Sequence, residues 1–164
     1  AKDVAKKTDQ RNNLLDLKAF TIAGNPKKTY LPPRRLDEVP TFDFSSLDAA
    51  FVRLNASAWN YEKALSKLQK GSLSAEQKAE INNILKNVDQ AMVSDRGLPR
   101  RDWFKNMIYA PGFYTGYGVK TLPGIREGLE QRNWNEVDTY IQEVAKALDR
   151  ASAKINMASN ILSR

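Results

Sequence analysis

NEVDTYIQEVAKALDRASAKINMASNIL, Asn135 to Leu162, decides the fold of this 164-residue chain. Its apolar positions, Val137, Ile141, Val144, Leu148, Ala151, Ile155, Ala158 and Leu162, step alternately by four and three. That spacing lays a stripe along one helix, and a stripe of this kind must be buried against other elements. Small residues (Ala151, Ala153, Ala158 and Ser159) line its later half and permit close approach of a neighbour.

Working back from that helix, two further stripes can cover it. Leu47, Phe51, Leu54, Ala58, Tyr61, Leu65 and Leu68 repeat the same spacing, which reads as a bundle seam. Ser45 or Ser46 suits the N-cap, Asp48 favours the first turn, and Gly71 is the stop. Ser74 with Gln77 reads as a capping box opening the next helix. There Ile81, Ile84, Leu85, Val88 and Met92 share a face, and the short connection predicts that these two helices are antiparallel neighbours.

Shorter pieces complete the plan. Asp3 to Phe20 reads as a modest helix whose sparse apolar residues, Val4, Leu14, Leu15 and Leu17, suggest weak packing or a partner outside the chain. Thr21 to Pro40, with its Gly24-Asn25-Pro26 turn signal, reads as a proline-rich connection. Trp103 to Tyr109 fits either a short helix or an extended piece. Pro123 suits the first turn of a helix ending near Gln131. The predicted fold is all-α: a bundle of three long helices plus shorter ones, with a glycine- and tyrosine-rich loop before the last two. Residues 1–41 form the N-terminal helix and connection, and 42–164 the helical domain.

Composition removes several classes of function. The chain has no cysteine and no histidine, so it can form no disulfide, thiolate zinc site or histidine-based catalytic group. No apolar run is long enough to span a membrane. Ala1-Lys2-Asp3-Val4 fits either a processed terminus or a boundary within a longer chain. The net charge is +7, and nine basic against five acidic residues through Thr41 place +4 of it in the first quarter. Elsewhere the signs alternate as on solvated helices, and no nucleic-acid motif accompanies the charge, so no nucleic-acid partner is expected.

The loop YAPGFYTGYGVKTLPG, Tyr109 to Gly124, is richer than a helix connection needs. It supports two readings: a structural turn, or a backbone that approaches another surface, with Tyr114 or Tyr117 presenting a hydroxyl there. Gly112, Gly116 and Gly118 before Lys120-Thr121 invite comparison with a phosphate loop, but Val119 breaks the spacing and no parallel sheet precedes it. Glu136, Asp138 and Glu143 are accounted for by the helix dipole and solvation. Arg100-Arg101, beside Asp102 and Trp103, reads as a solvated turn rather than a binding spot. No catalytic or metal-binding residue is assigned.

RGLPRRDWFKNMIYAPGFYTGYGVKTLPGIREGLE, Arg96 to Glu130, resembles the C-terminal helical domain of the glutamate carboxypeptidase II family, the transferrin-receptor-like dimerisation domain. The matched elements are Gly97-Leu98-Pro99, Tyr109-Ala110-Pro111, Tyr117, and Leu122-Pro123-Gly124-Ile125, in order and spacing. Phe42 to Phe51 is similar to the family's entry into its first bundle helix. The likeness covers about Phe42 to Leu162.

The resemblance implies a dimerisation domain over residues 42–164, whose partners are a preceding zinc peptidase domain and a second copy of the chain. It implies that zinc and the catalytic residues lie in that preceding domain, and that this chain alone hydrolyses nothing. It implies that the loop, through Tyr117, Gly116, Gly118 and Tyr114, helps close the substrate pocket, while Gly97, Pro99, Tyr109, Pro111, Pro123 and Gly124 are structural. Tyr117 matches a tyrosine near the substrate's terminal carboxylate in glutamate-specific members. Those members carry a lysine where this chain has Gly116, so a specificity other than C-terminal glutamate is expected. The compartment stays open among periplasm, cell surface and secretion. Two alternatives remain: a domain of a non-catalytic receptor-like homologue, and a stand-alone basic helical module that binds an acidic partner or nucleic acid.

Overall fold

The computed structural model of the chain describes residues 1–22, 31–68 and 73–163. In chain order it contains α1 (Lys2–Asp16), α2 (Ala19–Ile22), α3 (Ser45–Ser66), α4 (Ala75–Lys86), β1 (Tyr109–Pro111), β2 (Val119–Thr121), α5 (Pro123–Gln131) and α6 (Trp134–Leu162). A 3-10 turn, Asp89–Met92, follows α4. The helical class matches the expectation, and the one sheet among the described residues is a two-stranded antiparallel hairpin.

α6 is the spine. Val137, Ile141, Val144, Leu148, Ala151, Ala158 and Leu162 are buried, as the stripe predicts, but so are Tyr140, Ala145, Ala147, Ser152, Ser159 and Ile161. The helix is therefore covered from more than one side. α3 runs parallel to it: Arg53 forks onto Asp149 at 2.7 and 3.0 Å, and Tyr61 and Leu68 pack where Ile161 and Leu162 lie. The chain from α4 onward runs the opposite way along α6. Ile81 packs with Ala158, Arg150 donates to the carbonyls of Ala91 and Val93, Ser94 donates to Glu143, and Arg100 forks onto Glu136.

The seam expected on α3 is split: Leu47, Leu54, Tyr61 and Leu68 pack against the core clusters, but they are not the most deeply buried part of the helix. Its buried residues are Ala50 and Ser57, seven apart, while Phe51 and Leu65 are 57% and 49% exposed and Ala58 is open to solvent. Small side chains at Ala50 and Ser57 let the helix come close to α6, with Ser57 and Ser152 lining one cleft. The larger seam residues then fall to the flank. α3 and α4 both lie along α6 with opposite directions. Tyr61 and Ala64 from the first, Leu68 just after it, and Ile84 and Leu85 from the second pack against the same cluster of Ile81, Ala158, Ile161 and Leu162.

The Ser74–Gln77 capping box is present, with both reciprocal hydrogen bonds formed. The helix it opens is shorter than its apolar pattern, passing into the 3-10 turn after Lys86. The expected stop at Gly71 and the Gly24-Asn25-Pro26 turn lie outside the described residues. The expected Asp3–Phe20 helix breaks at Lys18, whose left-handed backbone (φ 55°) closes α1 through a bond from its N–H to the Leu15 carbonyl. α1 does dock within the chain, through Val4 against the main core and through polar residues rather than its leucines. Asn12 exchanges two hydrogen bonds with the Leu36 backbone, and Thr8 accepts from Arg132. Leu14 and Leu17 stay exposed. Among the described residues, no helix is long and apolar enough to cross a membrane.

Ile141 is 1% exposed at the centre of the main core cluster. Ile141→Ala should therefore lower the unfolding free energy by about 2–5 kcal/mol, read from urea midpoints, through lost burial plus the cavity left behind.

Candidate functional site

The glycine–tyrosine loop is carried on the β1–β2 hairpin, with Tyr109 opposite Thr121 and Pro111 opposite Val119. The piece before it, left open between helix and extended chain, is not helical: Val93 bridges Asn106. The Asn106 side chain then starts β1 by accepting from the N–H groups of Ile108 and Tyr109. After β2, Leu122 takes a left-handed turn (φ 49°) into α5 while its N–H donates to the Ile108 carbonyl at 2.7 Å. Pro123 sits buried at the first turn of α5, where its missing N–H costs nothing.

The motif glycines converge on Tyr140 of α6. Gly97 adopts φ +65°, and a Cβ there would lie 2.1 Å from the Asp102 carbonyl oxygen. Its own carbonyl accepts the Tyr140 hydroxyl at 2.5 Å. A Cβ on Gly124 would lie 2.3 Å from the Tyr140 ring, so α5 rests directly on that ring. Burial pushes the Tyr140 phenol above its ordinary value, which keeps it a donor.

Arg101 corrects an expectation. Read as part of a solvated turn, it is 4% exposed, and its partner Glu127 on α5 is 1% exposed. Arg101 Nη2 lies 2.7 Å from both Glu127 carboxylate oxygens, and Nη1 donates to the Pro111 carbonyl. Glu127 Oε1 also accepts the Phe113 N–H at 2.8 Å. The guanidinium stands 5.5 Å from the Phe104 ring centre and 5.6 Å from that of Phe113. Arg100 is paired with Glu136 and also stands 5.5 Å from the Phe113 ring.

The loop tip differs from its base. Gly112 N–H donates to the Gly118 carbonyl and Gly116 N–H to that of Gly112, closing a small ring of backbone. Gly116 has φ +63° with open space where a Cβ would stand, so glycine serves the turn there rather than a close contact. Tyr117 is fully exposed and Tyr114 is 75% exposed. Tyr117, Gly116, Gly118 and Tyr114 are thus brought together at the tip, while Tyr109 and Pro111 form β1 and Gly97 and Pro99 the turn before it. Tyr140, Glu127 and Arg101 hold this assembly, and the sequence reading did not assign them. A glutamate between Gly124 and Gly128 was the available signal, because both glycines mark α5 as closely packed.

A second exposed feature lies on α3. Phe51, Val52, Trp59 and Leu65 are all about half exposed or more. Beside them runs an apolar groove lined by Leu47, Phe51, Leu54, Ile108, Leu122 and Leu148. Among the described residues, no cluster of three or more acidic side chains is placed to hold a metal ion.

Residues 42–156 match the family model of the transferrin receptor-like dimerisation domain. The chain is 33% identical over 124 residues, 76% of its length, to a probable glutamate carboxypeptidase of Arthroderma benhamiae. It is 31% identical over 80 residues, 44% of its length, to a probable glutamate carboxypeptidase of Arabidopsis thaliana. It is 24% identical over 137 residues, 76% of its length, to an inactive zinc metalloprotease of Schizosaccharomyces pombe. The chain spans a small part of each relative: 16%, 12% and 17% of their lengths.

Two variants test the anchoring around α6. Tyr140→Phe leaves the buried Gly97 carbonyl without its donor and should cost about 1–3 kcal/mol of stability, read by urea unfolding. Glu143 accepts from Ser94 and Lys146, in that order of effect, and its carboxyl is held below the usual value of 4.5. A lowered folded value contributes stability above pH 4.5 that is lost as pH falls through the folded value. Glu143→Gln should remove that part of the acid-side decline when urea midpoints are compared at neutral and acid pH.

Proposed function

We propose a function from one premise: the chain belongs to the family of transferrin receptor-like dimerisation domains. It pairs with a second copy of itself inside a longer glutamate carboxypeptidase-like zinc peptidase. The observation that carries this is the α3 face. A regular helix keeps Phe51 and Leu65 of its seam in water, together with Val52 and Trp59 beside them. Covering such side chains contributes about 1.5–3 kcal/mol each when burial is complete. A second copy supplies a matching apolar face by symmetry.

The second part of the proposal concerns the loop. Its tip closes the substrate pocket of the peptidase domain that precedes this chain, with the Tyr117 hydroxyl turned to the substrate. A fixed base, an exposed tip and an amphipathic tyrosine support this reading. Gly116 offers no cation to a glutamate side chain, which favours a broader or different peptide end. The catalytic zinc belongs to the peptidase domain. This chain carries no histidine or cysteine to hold it and acts in catalysis only through the pocket wall.

A second reading has a specific support, since one relative is named an inactive zinc metalloprotease. In an inactive parent the α3 face would still pair, and the loop would have no substrate to meet.

The two parts separate experimentally in the intact parent protein. Trp59→Asp, at a site 73% exposed, should leave the helix content unchanged. It should weaken the dimer on the order of 30-fold or more by sedimentation, the scale of an interface anchor. An unaltered dimer removes the α3 face from the interface. Tyr117→Phe should leave the dimer intact and lower kcat/KM by about 5- to 10-fold, the worth of one hydrogen bond. Unchanged kinetics in an active parent would sink the pocket role.

A further inference from the structure

Two charged side chains buried to 95% or more are unusual in a domain this size, and the loop explains where they stand. Replacing a buried ion pair by apolar residues is commonly neutral or stabilising, so Arg101 and Glu127 are poorly accounted for by stability alone. Their remaining hydrogen bonds point elsewhere. Arg101 reaches the Pro111 carbonyl and Glu127 the Phe113 N–H, and these two groups flank Gly112, where the loop leaves β1.

The rest of the chain of support is equally directed. Glu130, three residues after Glu127 on α5, pairs with Lys120 on β2, so one helix holds both arms of the hairpin. α5 in turn is seated on α6 by Gly124 against Tyr140 and by Gly128, where a Cβ would lie 2.9 Å from Val137. Position therefore passes from α6 to α5, from α5 through Glu127 to the loop entry, and from there to Tyr114 and Tyr117. The forked geometry matters, because a planar guanidinium can meet a carboxylate and a carbonyl together, whereas an ammonium is a point charge.

We propose that Arg101 and Glu127 are the positioning pair of the loop, fixing the direction in which Tyr117 is presented rather than holding the fold together. This rests on the reading of the loop as a pocket wall. The pair touches no substrate; it acts through the backbone at Pro111 and Phe113, and the expected signature of its loss is weaker substrate binding with the bundle intact.

The test uses the intact parent peptidase and the double variant Arg101→Met/Glu127→Leu, an apolar swap that leaves no charge unpaired. The expected result is a melting temperature close to wild type and a KM raised about tenfold with little change in kcat. Amide exchange across residues 112–118 should quicken on the order of 100-fold, while exchange in α6 stays unchanged. Arg101→Lys, which keeps the charge and loses the fork, should fall between the two and serves if the swap does not fold. Wild-type KM in the swap, with KM raised in Tyr117→Phe, overturns the pair's role and leaves the pocket reading standing. Wild-type KM and kcat in both overturn the pocket reading and the pair's part in it. In the wild-type protein alone, the Phe113 amide should exchange at least about 100-fold more slowly than that of Tyr114. Equal rates overturn the proposal whatever the variants do.

Discussion

The structure depends on the burial of α6. A helix with a single apolar stripe needs one neighbour, but α6 buries Tyr140, Ala147 and Ile161 as well as the stripe through Val137, Ile141 and Val144. It must be covered from several directions, and the order of the other elements follows. α3 lies parallel on one side, close because Ala50 and Ser57 are small. The segment from α4 to Arg100 descends antiparallel along it, fastened at intervals by Arg150, Glu143, Tyr140 and Glu136. α5 closes the end nearest Trp134. The hairpin projects from this covered helix, so its orientation is inherited from α6.

Polar groups do much of the fine placement. Apolar burial is non-directional and fixes which faces meet, not the register to within an ångström. Register comes from the hydroxyl of Tyr140 on the Gly97 carbonyl, from Asn12 on the Leu36 backbone, and from Arg101 between Glu127 and Pro111. Each joins segments far apart in sequence and addresses backbone atoms, so it restrains the path of the chain rather than one rotamer.

What the sequence made legible follows from range. The Ser74–Gln77 box and the stripe of α6 are local patterns, and both stand where their spacing puts them. Gly97 and Gly124, which the resemblance marks as structural, each stand at a contact that excludes a Cβ. The seam of α3 was legible as apolar but not as half exposed, with Leu54 and Tyr61 packed and Phe51 and Leu65 open, because periodicity reports a helix's face and not its neighbour. The break at Lys18 needed a left-handed lysine, which no propensity favours. Arg101 was misread for the same reason as the seam. Two adjacent arginines look like a solvated turn unless Glu127, 26 residues later, is known to face one of them.

The exposed face of α3 and the exposed tip of the loop are physically unlike. α3 offers large apolar side chains on a regular helix, a platform whose shape is set before any partner arrives. The loop offers two tyrosines on a glycine-rich tip, a surface with polar ends and little area. Between them runs the groove lined by Phe51 and Leu54 from α3, Leu148 from α6, and Ile108 and Leu122 from the hairpin base. Ile108 and Leu122 are the residues joined by the backbone bond that closes that base, where Leu122 is held left-handed. A second copy seated over Phe51 would also cover this rung and exclude water from its hydrogen bond. Local opening of the hairpin would then cost more in the dimer than in the monomer, because an unpaired backbone group there could no longer turn to solvent. In the proposed dimer, pairing at α3 and order at the tyrosine tip would therefore be linked through the Ile108–Leu122 backbone bond.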